Sequence, residues 1–373
     1  MVLLAALTIA SAQSATPVKI CGYRHVLALL GNGEVIGWDR PDNGQLGPIA
    51  AIPINNYGTK GVVKVQFSKK VKDVAAGYET TLALLEDGTM EVLGVDTCGF
   101  MGGSKLPNGR PGTETPLPVV GLDHVVKVEA VNKTFLAVTD KGDVYTWGDK
   151  TPFGDGKSPV KVPGLANITD VSVRSVCMAL DKSGNVYTWS GSEWNGTLAR
   201  KSNIEGVGKV EGIDHVVSIS SGNQVCWVVK SDGTVWAWGS NYQAQLGNGK
   251  RTEAPVTGST QIDLQFTPKQ VPGITNALRA RCSTGGFGFV YLKDGTVKGW
   301  GNTQLMQMTH STNDGYQKSP TVIDVGVVKD VWAVSMNGYA LKSDGRLLVW
   351  GNNLQSGFPL AKVTSEPVAM HYR

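Results

Sequence analysis

The chain has 373 residues, 41% of them hydrophobic, with 35 Lys and Arg against 31 Asp and Glu for a formal net charge of +4. That apolar share is enough for a core, and the small, interspersed charge excludes the electrostatic footprint of a nucleic-acid-binding protein. The five cysteines, Cys21, Cys98, Cys177, Cys226 and Cys282, have no Cys-x-x-Cys spacing, so neither a zinc site nor a redox motif is indicated.

Residues 1–15 join a short apolar run to Ala10-Ser11-Ala12. This is the pattern of the h-region and cleavage site of a secretory signal peptide, here without the basic n-region, and it predicts cleavage after Ala12 and a secreted or periplasmic protein. No other segment approaches the ~18 to 20 apolar residues of a membrane span.

From Pro17 onward one unit repeats. Its clearest copy begins at Val228 and runs through Asn241 to Gly249; apolar residues alternate up to Asp232-Gly233 and resume after it, the signal for a β-hairpin with a two-residue turn. The turn glycines are Gly33, Gly88, Gly142, Gly184, Gly233, Gly295 and Gly345, separated by 55, 54, 42, 49, 62 and 50 residues. Five residues after them stand Trp38, Leu93, Trp147, Trp189, Trp238, Trp300 and Trp350; five before stand Ala28, Ala83, Ala137, Ala179, Val228, Val290 and Ala340. An apolar-rich strand such as Val71-Lys72-Asp73-Val74-Ala75-Ala76 precedes the hairpin, and a Pro-containing strand such as Pro268-Lys269-Gln270-Val271-Pro272 closes several units. Each unit therefore reads as four short strands, which cannot bury both faces alone; seven in a ring bury them on one another and protect most edges. The prediction is an all-β, seven-bladed β-propeller of four-stranded antiparallel blades, one domain over residues 16–373, whose start near Pro17 and finish near Pro367 meet by packing or by strand exchange.

The repeated pattern is carried by Ala76-Gly77, Leu82-Ala83-Leu84, Asp87-Gly88, Thr234-Val235, Trp238-Gly239-Ser240-Asn241 and Gln245-Leu246-Gly247. It resembles the repeat of the regulator of chromosome condensation family over roughly residues 17–370. It departs from that repeat at Leu93, at Asp39 and Ser190 in place of the following glycine, and in the histidine eight residues before the turn glycine, kept only as His25. The resemblance implies a propeller, read here as a secreted bacterial member, that engages its partners on the face where the inner turns emerge.

Motifs for chemistry are missing. His124 and His215 recur in Asp-His-Val-Val at one place in the repeat, which marks a structural turn rather than an acid–base pair. Gly154-Asp155-Gly156-Lys157-Ser158 lacks the first P-loop glycine, Thr151 standing there. Cys177 and Cys226 share a register in neighbouring units, where packing is the expected role and a disulfide outside the cytoplasm the alternative. No catalytic residue, metal ligand or cofactor is therefore expected.

What remains is surface. The turns after the inner strands open on one face, and their aromatic, charged and amide side chains suit recognition of a protein or surface glycan. Tyr23, Arg24, His25, Tyr78, Glu79, Lys133, Arg174, Asn223, Gln224 and Phe287 are the candidate binding residues. The long connections at Gly102–Pro118 and Lys250–Pro268 are surface loops, where function concentrates. The expected function is a monomeric, non-enzymatic scaffold binding such a partner outside the cytoplasm. The resemblance offers two alternatives: a guanine nucleotide exchange factor for a small GTPase, as the family's namesake is, and a proteinaceous inhibitor like the bacterial propeller that blocks β-lactamase.

Overall fold

The computed structural model describes residues 16–52, 54–55, 58–59, 62–96, 98–149, 151–189, 198–200, 206–252, 264–305, 308, 312–352 and 364–370. The signal-peptide reading of residues 1–15, Ser190 and most of the Lys250–Pro268 loop lie outside them.

Seven four-stranded antiparallel sheets follow one another along the chain. Blades 1 to 7 span residues 17–65, 71–118, 125–161, 168–209, 216–270, 277–322 and 330–370. In blade 5 the strands are Val216–Ser221, Val225–Lys230, Val235–Ser240 and Leu264–Gln270, running in order from the channel outward. Val228 and its equivalents, Ala in five other blades, are fully buried at the centre of the second strand.

The hairpin turn is one residue longer than the Asp-Gly signal predicts. In blade 5 the Gly233 N–H donates to the Lys230 carbonyl (2.9 Å) and the Lys230 N–H to that of Thr234 (2.9 Å), so Ser231, Asp232 and Gly233 form a three-residue loop. Only the glycine is left-handed (φ 81°), whereas a two-residue type I′ turn needs positive φ at both positions. Asp232 works through its carboxylate instead, Oδ1 accepting the Thr234 N–H (2.9 Å) and hydroxyl (2.7 Å).

The core is not central. It is divided into seven apolar layers, one between each pair of neighbouring blades. Trp38, Trp147, Trp189, Trp238, Trp300 and Trp350 each fill the layer facing the preceding blade, and Leu93 does so in blade 2. In the layer between blades 5 and 6, Trp300 stacks on Trp227 with centroids 4.0 Å apart. Both indoles donate to the Gln245 carbonyl, at 2.8 and 2.9 Å, so the recurrent Gln-Leu-Gly motif pins a layer together. None of the five cysteines is in a disulfide. Cys177 faces the layer between blades 3 and 4 and Cys226 the next one, so their shared register keeps them apart.

The ring closes by packing, not by strand exchange. Val63–Val65 pairs with Val35–Asp39 in blade 1 and Thr364–Met370 with Leu347–Gly351 in blade 7, each within its own unit. Ile20, Val26, Ala28 and Trp38 of blade 1 meet Trp332, Val334 and Tyr339 of blade 7 in the closing layer.

Around the channel, inner strands leave an unpaired edge that side chains of the preceding blade cover. Val128 N–H donates to Asp73 Oδ2 (3.0 Å), Ser221 N–H to Ser172 Oγ (2.9 Å) and Cys282 N–H to Ser220 Oγ (2.8 Å). One repeat position alternates in sign between neighbours: Lys19 pairs with Asp73 (2.7 Å), Lys127 with Asp170 and Arg279 with Asp330 (2.8 Å).

His124 and His215 hold left-handed backbone (φ 54° and 52°) before the inner strands of blades 3 and 5, as Asn167 (φ 56°) does before that of blade 4. They are turn residues.

Candidate binding face

First and third strands run the same way, so the turns that follow the first and the loops that follow the third emerge together. The backbone forces close contact there. A Cβ on Gly77 would come within 2.6 Å of the Asn132 carbonyl, the acceptor of the Tyr78 N–H at 2.6 Å, so one turn is clamped to the next and Tyr78 is held at the surface.

Four candidate residues form one cluster across blades 1 and 2. Tyr23 and Tyr78 lie with centroids 5.4 Å apart, and the Arg24 guanidinium sits 4.6 Å from the Tyr78 centroid. Arg24 also pairs with Glu79 at 3.0 Å. Two loop residues complete the group: Arg110 pairs with Glu79 (2.7 Å) and donates to Asn43 Oδ1 (2.6 Å), while Asn43 Nδ2 donates to Glu79 Oε1 (3.0 Å). The Glu79 carboxylate is buried beneath two arginines, a geometry that fixes both guanidinium planes at the surface.

The remaining candidates divide. Lys133 and Gln224 are half-buried turn residues whose carbonyls accept from Asp149 (2.9 Å) and Ser240 (2.8 Å). Asn223 joins a second polar group in blades 5 and 6, donating to Gln243 Oε1 (3.3 Å) and the Tyr242 hydroxyl (3.4 Å). Beside it Arg251 bonds the Tyr242 carbonyl (2.9 Å) and lies 4.0 Å from the Tyr316 ring centroid. Arg174 turns into the channel, donating to the carbonyls of Val173 (2.6 Å) and Ala130 (3.4 Å).

His25 and Phe287 are not on the face. Both occupy the first position of a second strand, eight residues before the turn glycine, where Thr80, Val176, Val225 and Asn337 are buried as well. The Thr81 hydroxyl donates to the Gln45 carbonyl (2.6 Å), so the His25 Nε2–H donates to Thr81 Oγ1 (2.9 Å) and Nδ1 has no partner among the described residues. Burial drops the imidazole pKa from 6.5 to about 3. Phe287 packs edge-on against Phe289 with centroids 5.4 Å apart. The repeat alignment itself carried this signal, since the position is apolar or small in most copies.

Asn43, Arg110, Tyr242, Arg251 and Tyr316 are the face residues that the turn-by-turn reading missed. Arg110 lies in the long Gly102–Pro118 connection, read from the sequence as a surface loop. Asn43 and Gln243 share one place, two residues before the glutamine of Gln-Leu-Gly, a variable polar position inside a fixed motif. Among the described residues no group of three or more His, Cys, Asp or Glu is arranged to hold a metal, and no helix is long and apolar enough to cross a membrane.

A family model described as the regulator of chromosome condensation (RCC1) repeat matches residues 232–286. Protein pim1 of Schizosaccharomyces pombe is 26% identical over 355 residues, 83% of this chain and 63% of that protein. The E3 ubiquitin-protein ligase HERC2 of Homo sapiens is 29% identical over 256 residues, 62% of this chain and 5% of that protein. The chain thus spans less than two thirds of either relative. The crystal structure of Prp20p from Saccharomyces cerevisiae, reported with its binding to Gsp1p and histones, superposes with a TM-score of 0.74 at 20% identity, covering 98% of this chain and 90% of that one.

Proposed function

We propose that this chain, which belongs to the regulator of chromosome condensation repeat family, is a non-enzymatic propeller that captures a protein partner on the face of its inner turns. The carrying observation is the Tyr23, Arg24, Tyr78, Glu79 and Arg110 cluster. Its aromatic and arginine side chains are the types that anchor interfaces, and the Glu79 carboxylate orders them in advance, which lowers the entropy lost on binding. We place this activity outside the cytoplasm, on the strength of residues 1–15; protein isolated from its host would then begin at Gln13.

Replacing Tyr23, Arg24 and Tyr78 together by alanine tests the reading. Partner capture from the host's extracellular fraction should weaken at least tenfold while stability changes within about 0.5 kcal/mol per site. Equal capture by the variant would remove the cluster from the interface. A second reading, action on a small GTPase, is favoured by the likeness to Prp20p and its reported binding to Gsp1p. Accelerated nucleotide release from a small GTPase of the host would establish it in place of the first.

A further inference from the structure

Most charge in the channel is paired, as the carboxylates of Asp73, Asp170 and Asp330 show, and Glu129 is taken by Lys19 at 3.3 Å. Two guanidinium groups are left over. The guanidinium of Arg281, half-buried on the inner strand of blade 6, makes no hydrogen bond or ion pair to any described residue, and its Nε is buried without an acceptor among them. Arg174, just past the inner strand of blade 4, donates only to the main-chain carbonyls of Val173 and Ala130. Its charge is felt at Glu129, beside it in blade 3, and at Cys282 in blade 6. Burial works against ionisation of Glu129, and Lys19, Lys127 and Arg174 override it to hold that carboxyl below the ordinary value. Burial pushes the Cys282 thiol up, against the Ser220 hydrogen bond and the charge of Arg174, so that charge is felt on the blade 6 strand that carries Arg281.

The register adds two more donors. Ser172, Ser220 and Arg281 are equivalent residues on three consecutive blades, paired with Met178, Trp227 and Phe289 one residue past the buried centre. Ser172 and Ser220 each accept a main-chain N–H from the next blade; the Ser172 hydroxyl proton has no acceptor among the described residues, and that of Ser220 has the Cys282 sulfur. Ser220 is itself buried. In blades 1 to 3 the same position holds Cys21, Ala75 and Glu129, so the donors without acceptors are confined to one arc of the ring.

We propose that this arc, at the turn-face end of the channel, is a binding site for a small oxyanion, a phosphate or carboxylate, held between Arg174 and Arg281 with the Ser172 and Ser220 hydroxyls donating to it. Guanidinium groups match such anions with two parallel N–H bonds, and an unpaired cation in a partly desolvated channel costs free energy that a bound anion returns. The site is separate from the Tyr23 cluster, and its failure would leave the turn-face reading standing.

Calorimetric titration of the full chain with inorganic phosphate, and separately with malonate, at constant ionic strength set by chloride, tests the site. Saturable binding of at least one is expected. Arg281→Gln and Arg174→Gln should each weaken it at least tenfold and Ser220→Ala about threefold, with thermal unfolding measured on every variant. Lys64→Gln, which removes the same charge from an outer strand, should bind as wild type, as should the Tyr23, Arg24 and Tyr78 alanine variant. No heat beyond the chloride control with either anion overturns the proposal, as does equal weakening by Lys64→Gln. Should Arg281→Gln not fold, Arg174→Gln alone decides.

Discussion

Blades 1 and 5 are copies of one repeat that treat two equivalent positions differently. Blade 5 has Val225 at the start of its second strand and Gly239 (φ 109°) after its tryptophan; blade 1 has His25 and Asp39. Both blade 1 residues are polar, titratable and buried, one toward blade 2 and one beside Tyr339 of blade 7. Asp39 adopts φ 81° where Gly94, Gly148, Gly301 and Gly351 have φ between 97° and 111°, a left-handed backbone that costs a residue with a Cβ about 1 kcal/mol. The comparison teaches that the frame tolerates costly residues where its first blade meets its neighbours, and that pH should be felt there before it is felt at blade 5.

The largest effect tests the frame common to both blades. Trp238→Ala should lower stability by about 3–5 kcal/mol in denaturant unfolding, because the indole is fully buried between blades 4 and 5. A variant as stable as wild type would mean that the shared tryptophan is not a core residue.

Next comes the acid limb. The His25 pKa falls from 6.5 to about 3 on folding, so below pH 6.5 the unfolded chain takes up a proton that the folded site refuses until about pH 3. Stability should fall as pH drops through that window, by on the order of 5 kcal/mol at most. Installing the blade 5 residue, His25→Val, should flatten this part of the profile; an unchanged acid limb would assign it to other groups.

The smallest effect at pH 4 is that of Asp39→Gly, again the blade 5 residue. Burial raises the Asp39 pKa from 3.8 to about 8, against the charge of Arg40, so between those values the unfolded chain releases a proton that the folded site keeps. Wild-type stability from this group is therefore lost as pH rises from about 4 to 8. The variant should gain about 1 kcal/mol at pH 4 from relief of the left-handed backbone, and on the order of 5 kcal/mol more by pH 8 from the titration. A constant difference across that range would exclude titration of Asp39 as the cause.

The candidate face was legible only in part. Tyr23, Arg24, Tyr78 and Glu79 could be named because the inner turns are fixed by register, and neighbouring turns must meet. Arg110 and Asn43 could not be joined to them, since they enter from loops whose course depends on the blades already standing side by side. His25 and Phe287 were placed on the face because turn residues were counted without their strand register, which points that position between the blades.

The sequence by itself determined the number of blades, the four strands in each and the tryptophan layers, because a periodic chain whose units cannot bury their own faces has to stack them. It could not determine how the ring closes, since both packing and strand exchange satisfy the same hydrophobic pattern; the tertiary structure decided for packing, with Trp38 against Tyr339 at 5.9 Å. Nor could it assign the loop length of the hairpins, where Asp-Gly serves two turn geometries and the strand register selects one. The channel, too, belongs to the tertiary structure alone: residues as distant as Lys19 and Glu129 become ionic partners at 3.3 Å, and Arg281 is left without one among the described residues, only because seven blades are curved around a common axis.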